Sequence, residues 1–186
     1  VEQEYHDLAG GGSRLFAIGQ SMGATLALHL AANYPLHGVI ALAPALRLPF
    51  WQKVAVYALS PVMKWKSKPG GPDVRDQTVV SRLQSYDRHP MASLKEVLQI
   101  MRTVREELHN VTAPLLILHG RHDQTMSRIN VDIVQKNVRS QEISMEIFEN
   151  SAHILSVDFD HQKVFAAALN FVQRHSSIEK NFLQLS

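Results

Sequence analysis

At 186 residues, with 45% hydrophobic and 19% charged side chains, the chain has the length and balance of one folded domain with a real core. A formal charge of +2 is too small to make nucleic acid a general partner, and the lack of cysteine excludes a disulfide framework or a thiolate metal site. No apolar run reaches the roughly 18 residues of a membrane span. No basic-then-apolar leader opens the chain, so a cytoplasmic protein is expected. It begins on Val1 rather than methionine, as a processed product or a fragment would.

Residues 1–8 read as a polar helix that ends in the loop Gly10-Gly11-Gly12-Ser13. That loop precedes a strand and lacks a following Gly-Lys-Ser/Thr, so it reads as a turn and not as a phosphate cradle. Residues 15–18 are predicted to form a buried strand, and Gly19, Ser21 and Gly23 then spell Gly-x-Ser-x-Gly. Such a turn is tight, and glycine suits positions where backbone segments approach closely. A helix is predicted over 22–33, with Gly23, Ala24, Ala27 and Ala31 on one close-packing face, and Tyr34-Pro35 ends it. Further strands are predicted at 38–42, 115–118 and 143–148, and further helices at 128–138 and 161–175. Strands alternating with helices imply an α/β fold: a parallel sheet flanked by helices.

A long insertion, about residues 45–112, separates the second and third strands. Its first part, 46–68, holds Phe50, Trp51, Val54, Val56, Tyr57, Leu59, Val62, Met63 and Trp65 together with Arg47, Lys53, Lys64, Lys66 and Lys68, and no acid. It reads as a helical lid over a pocket, with lysine ends reaching solvent. A basic amphipathic segment also suits an anionic lipid interface. Residues 68–73 form a flexible loop by composition. Ser93-Leu94-Lys95-Glu96 has capping-box form and is expected to start a helix. Leu94, Val97, Leu98, Met101, Val104 and Leu108 then form one apolar stripe for core or lid packing.

A serine hydroxyl becomes a useful nucleophile when a base takes its proton and a third group holds that base in one tautomer. Asp123 follows the third strand and His153 follows the fourth, so both join Ser21 at the C-terminal ends of strands, where open parallel sheets form their sites. Asp132 is a rival acid, but it falls within a predicted helix. His119 and His122 read as local hydrogen-bond formers, and Asp158 and Asp160 as caps of the last helix. His6, His29, His37, His89, His109, His161 and His175 read as structural or exposed. No His-x-x-x-His sits on a convincing helix with an acid partner, so no metal is expected.

The pieces Gly-Gln-Ser-Met-Gly (19–23), Ala-Pro-Leu-Leu-Ile-Leu-His-Gly-Arg-His-Asp (113–123) and Asn-Ser-Ala-His-Ile-Leu-Ser-Val-Asp-Phe-Asp (150–160) resemble the C-terminal two-thirds of an α/β-hydrolase. They are most similar to those of bacterial carboxylesterases and monoacylglycerol lipases, and Ser21, Asp123, His153 is the chain order of that fold. The resemblance implies Ser21 as nucleophile, Asp123 as orienting acid and His153 as general base. It makes the Met22 N–H one oxyanion donor. A small-molecule ester, lipid esters included, is the implied substrate, with Trp51, Tyr57, Leu59 and Met63 lining the acyl site and no cofactor.

The resemblance also implies strands before the first one here, and a His-Gly loop supplying a second oxyanion donor; neither has a counterpart before Leu15. One domain over 1–186 without those strands is therefore expected. Leu15, Phe16, Ala17 and Ile18 would then form an unpaired apolar edge, open to a missing N-terminal segment or to self-association. Two other functions fit the same residues: a thioesterase or acyltransferase using the same triad, and a truncated, catalytically silent partner-binding domain.

Overall fold

The elements of the structure, a computed structural model, are in chain order α1 (Glu2–Ala9), β1 (Phe16–Gln20), α2 (Met22–Asn33), β2 (Gly38–Leu42), α3 (Phe50–Leu59), β3 (Trp65–Ser67), β4 (Arg88–Pro90), α4 (Met91–Glu107), β5 (Leu115–Gly120), α5 (Ile129–Asn137), β6 (Ile143–Phe148) and α6 (His161–Ser176). The structure describes residues 1–11, 14–59, 63–67, 71–83 and 88–176. Gly12 and Ser13 of the glycine loop, Val62, residues 68–70 and the side chains of Lys66 and His89 lie outside the described residues.

Two apolar runs, β2 and β5, are buried along their whole length because they form the centre of a parallel sheet ordered β1-β2-β5-β6. Alternation then sorts their side chains between two helical layers. Val39, Ala41, Leu115 and Ile117 pack with Ala24, Ala27, Leu28 and Ala31 of α2 and with Val131 and Val134 of α5. Ile40, Leu42, Leu116 and Leu118 pack on the other face with Val164 and Phe171 of α6. Among the described residues no helix is long and apolar enough to cross a membrane.

β1 departs from expectation. It spans Phe16–Gln20, and Ile18 is 58% exposed where a buried strand was predicted. The cause is its position: β1 pairs with β2 on one side and with no described strand on the other. α1 buries none of its residues. It is held at the far end of α2 by the Tyr5–Tyr34 ring contact at 4.5 Å and a Tyr5 hydroxyl bond to the Pro35 carbonyl.

The segment between β2 and β5 is less purely helical than its sequence suggested. β3 and β4 form a two-stranded antiparallel ribbon between α3 and α4. α4 begins at Met91, ahead of the capping box, with Pro90 at the cap position and Ser93 inside the first turn. Pro90 lacks an N–H and its fixed φ is suited to a helix start, while the Met91 N–H bonds the Lys64 carbonyl across the ribbon. The apolar stripe that runs along α4 to Leu108 serves two clusters, one within the insertion and one on the α2 face of the sheet. Leu98 and Met101 pack with Ala45, Val56, Met91 and Met126, whereas Val104 and Leu108 enter the core under the sheet.

Candidate active site

The turn from β1 into α2 holds Ser21 at φ 57°, ψ −117°, in the left-handed half of backbone space that a side chain normally avoids. Such a conformation costs about 1–3 kcal/mol and persists where surrounding bonds over-determine it. Here the Ser21 N–H is bonded to the Leu42 carbonyl at 2.8 Å, and its own carbonyl accepts from Ala24 and Thr25. Gly19 makes the turn possible, since a Cβ there would lie 2.1 Å from the Gly23 carbonyl oxygen. Gly23 does not share that constraint. A Cβ on it would meet nothing within 4 Å, so backbone approach demands only the first of the two glycines.

Ser21 stands at the N-cap of α2, so the Met22 N–H is among the first-turn donors with no carbonyl inside the helix to bond. The helix dipole favours negative charge at that end.

β5 and β6 deliver the other two groups. Gly120 closes β5, and a Cβ there would sit 2.1 Å from the Ala152 carbonyl oxygen, so the loop carrying His153 crosses directly over the loop carrying Asp123. The His122 N–H bonds the Ser151 carbonyl at 3.0 Å and stitches the two together. His153 Nε2 lies 2.9 Å from Ser21 Oγ, and His153 Nδ1 lies 2.9 Å from Asp123 Oδ2. The Asp123 side chain is fully buried, with Oδ1 accepting the main-chain N–H groups of Thr125 and Met126. With Nδ1–H donated to that carboxylate, Nε2 is left as the acceptor for the serine hydroxyl, an assignment made from the hydrogen-bond network.

His119 does not behave as a local hydrogen-bond former. Its Nδ1 is buried without a hydrogen bond, 3.8 Å from Asp123 Oδ2. Burial holds its pKa below the usual histidine value; the Asp123 charge opposes this, and His153 and Arg128 add to it. His122 is exposed, and only its main-chain N–H takes part.

Asp158 and Asp160 do not cap α6 with their side chains; their main-chain carbonyls accept the His161 and Val164 N–H groups. Both carboxylates turn back to the loop at 150–152. Asp160 accepts from the Asn150 N–H and the Ser151 hydroxyl. Asp158 takes four main-chain N–H bonds, from Ala152, Arg75, Asp76 and Phe159. Burial alone would raise the Asp158 pKa, and those four bonds more than offset it, leaving the carboxyl below its usual range.

Asp132 lies on the exposed side of α5, away from the buried carboxylate that His153 meets. Trp51, Tyr57, Leu59 and Met63 are all exposed; Tyr57 lines one concavity with Phe50 and Val54, and Met63 another with Trp65 and Met91. His6, His37 and His109 are exposed, His29 meets Glu107 at 2.6 Å, His161 Nδ1 meets the Asp158 carbonyl, and His175 is buried with neither ring nitrogen hydrogen-bonded, Nε2 lying 3.3 Å from Glu142. No group of three or more metal-ligating side chains occurs among the described residues.

Several residues that support the site had no sequence signal. The Gln20 side chain accepts the Ser156 N–H and ties the end of β1 to the His153 loop. Thr25 and Asn130 hold the chain leaving β2, through the Ala45 carbonyl and the Leu46 and Arg47 N–H groups. Asp73 bonds the turn after Asp123. Only contacts between loops distant in sequence reveal these roles.

A strand–turn–helix serine and two strand-end loops on a helix-flanked parallel sheet define the α/β-hydrolase class. The chain belongs to the serine aminopeptidase S33 family, whose match covers residues 3–160. It is 25% identical over 181 residues to a thermostable monoacylglycerol lipase of Bacillus sp. (strain H-257), covering 95% of this chain and 69% of that protein. It is 19% identical over 158 residues to a carboxylesterase of Bacillus subtilis (strain 168), covering 85% of this chain and 63% of that protein. A structure from work on the metagenome-derived lipolytic enzymes LipS and LipT superposes with a TM-score of 0.86 at 23% identity, covering 94% of this chain and 71% of that one. The monoacylglycerol lipase of Paleococcus ferrophilus does so with a TM-score of 0.79 at 19% identity, over 94% and 74% of the two chains.

Proposed function

We propose that the chain is a serine hydrolase for carboxylic esters with an apolar acyl group, using Ser21, His153 and Asp123. The observation that carries this reading is the continuous line of 2.9 Å contacts from Ser21 Oγ through both nitrogens of His153 to a fully buried Asp123. His153 Nε2 takes the hydroxyl proton as Ser21 Oγ attacks the ester carbonyl. The carbonyl oxygen becomes an oxyanion beside the Met22 N–H. The C–O bond to the alcohol breaks as His153 returns the proton to the leaving oxygen, and an acyl-Ser21 ester remains. Water then attacks the acyl carbon, giving its proton to His153, and Ser21 leaves with that proton as the carboxylic acid departs. Asp123 keeps the Nδ1 proton in place throughout.

The lipase and carboxylesterase relatives support an ester substrate with a lipid-like acyl chain. The exposed apolar residues of α3 and its surroundings, Trp51, Tyr57, Leu59 and Met63, are assigned as its contacts when the insertion folds over the bound substrate. A fluorophosphonate probe tests the reading. Labelling of the chain is expected, with complete loss in Ser21→Ala and a loss of at least about a hundredfold in rate in His153→Ala. Unlabelled wild-type chain, or labelling that survives Ser21→Ala, would overturn it.

A further inference from the structure

The two loops that must meet, at Asp123 and at His153, are bound together by a third segment from elsewhere in the chain. Residues 73–76 lie inside the insertion, ahead of α4, and touch both. The Asp73 carboxylate takes three bonds on Oδ2 from the turn after Asp123: the N–H groups of Gln124 and Thr125 at 2.9 Å each, and the Thr125 hydroxyl at 2.7 Å. The Thr125 N–H is shared with Asp123 Oδ1, so the same turn is bonded from both sides. The main-chain carbonyl of Asp73 accepts the N–H of Ile154, the residue after His153, at 3.2 Å.

Asp158 completes the attachment on the other flank. Its Oδ2 accepts from Ala152, the residue before His153, at 2.7 Å and from Arg75 at 3.0 Å, while Oδ1 accepts from Asp76 at 2.9 Å. His153 is therefore held on both sides through residues 73–76, and the turn carrying Asp123 is held by the same few residues. A hydrogen-bond relay tolerates little error, since a misplacement of about 1 Å can cost on the order of a hundredfold in rate. Loops at strand ends do not supply that precision unless something fixes them.

We propose that Asp73 is a positioning residue for the Ser21–His153–Asp123 relay, clasping the Asp123 turn to the His153 loop with Asp158 as its anchor. The proposal rests on the serine hydrolase reading for its effect on turnover but not for the geometry it asserts. It also means that the insertion and the reacting groups form one mechanical unit, because the clasp lies within the insertion itself.

Two readouts separate positioning from general support. The first is kcat on a p-nitrophenyl ester, per site titrated by the fluorophosphonate, which removes any difference in folded fraction. Asp73→Ala is expected to lower kcat per site by about tenfold or more with KM nearly unchanged. Asp73→Asn recovers most of that, since its amide oxygen accepts the same N–H groups. Thr125→Val, which removes one bond of the three, gives a smaller loss in the same direction and serves if Asp73→Ala does not fold.

The second readout is the far-downfield proton resonance of the His153 Nδ1–H, which needs no turnover. It is expected in the unsubstituted chain, shifted or lost in Asp73→Ala and retained in Asp73→Asn. Wild-type kcat per site together with an unmoved resonance in Asp73→Ala would overturn the proposal, as would absence of the resonance from the unsubstituted chain. A chain that is never labelled but shows the expected resonance changes would sink the hydrolase reading and keep the clasp.

Discussion

Gly19 and Gly23 look equivalent in Gly-x-Ser-x-Gly, yet their surroundings differ. A methyl group at Gly19 would lie 2.1 Å from backbone oxygen and 2.6 Å from the Ala24 nitrogen, atoms that cannot swing away as a side chain would. Gly19→Ala is therefore expected to destabilise the chain by about 2–4 kcal/mol, as forced backbone shifts do. Gly23→Ala meets open space inside a helix, where alanine is favoured over glycine by about 1 kcal/mol, and is expected to be neutral or stabilising. Urea unfolding of the two variants decides the matter, and equal losses would refute the distinction. His119 supplies a second residue-scale prediction. Burial lowers its pKa in the folded state, so the unfolded chain binds the proton first and stability rises with pH through that window. Its contribution is complete above 6.5 and is lost as pH falls through the folded value. The Asp158 contribution, whose carboxyl is also lowered, disappears only below 3.8. Unfolding midpoints measured between about pH 7 and 5 should fall with acid, and the slope should flatten in His119→Gln; an unchanged slope would remove His119 as its source.

At the scale of elements, strands and helices with strong periodicity were legible in the sequence, and so were the three groups that meet near Ser21. The runs Gly38–Leu42 and Leu115–Gly120 announce themselves because both faces are buried. Position in the sheet was harder to read, and Ile18 shows why: its apolar character is the same whether or not a neighbouring strand covers it. Asp73 and Asp158 were opaque for another reason, as their role comes from loops brought together by the fold. α3 illustrates a partial reading. It buries Val56 alone and exposes Phe50, Trp51, Val54 and Tyr57. With Lys53 beside that apolar side, Arg47 and Lys64 flanking α3 in sequence and no acid between residues 45 and 72, the element suits an anionic lipid surface. The chain is expected to co-sediment with vesicles containing phosphatidylserine, and less so as salt rises. Each basic residue near such a surface contributes about 1 kcal/mol, so Lys53→Glu with Lys64→Glu should weaken partitioning by more than about tenfold. Equal binding to neutral vesicles would assign α3 to substrate contact alone.

For the molecule as a whole, the feature that most governs behaviour is the bare side of β1. Its backbone N–H and C=O groups on that side have no partner strand among the described residues. Beside it runs an apolar groove of about 540 Å³, walled by Phe16 and Ile18 of β1, by Leu26 and Leu30 of α2 and by Tyr5 and Leu8 of α1, and it is here that the open space next to Gly23 lies. The 186 residues span 69% and 63% of the lengths of the two bacterial relatives. An apolar sheet edge of this kind is a template for another strand, whether from a preceding segment or from a second copy. The 186-residue chain by itself is expected to self-associate, and Ile18→Lys to reduce association by placing a charge on the edge while leaving the buried core untouched. The same bare side bears on turnover, because only the Met22 N–H is assigned to the oxyanion. A second oxyanion donor is worth about a hundredfold to a thousandfold, so with the Met22 N–H as the one donor assigned among the described residues, weak turnover is expected of these 186 residues. Light scattering and kcat per titrated site test both parts together: a monodisperse monomer that turns over esters at an ordinary rate would show that this edge needs nothing to cover it.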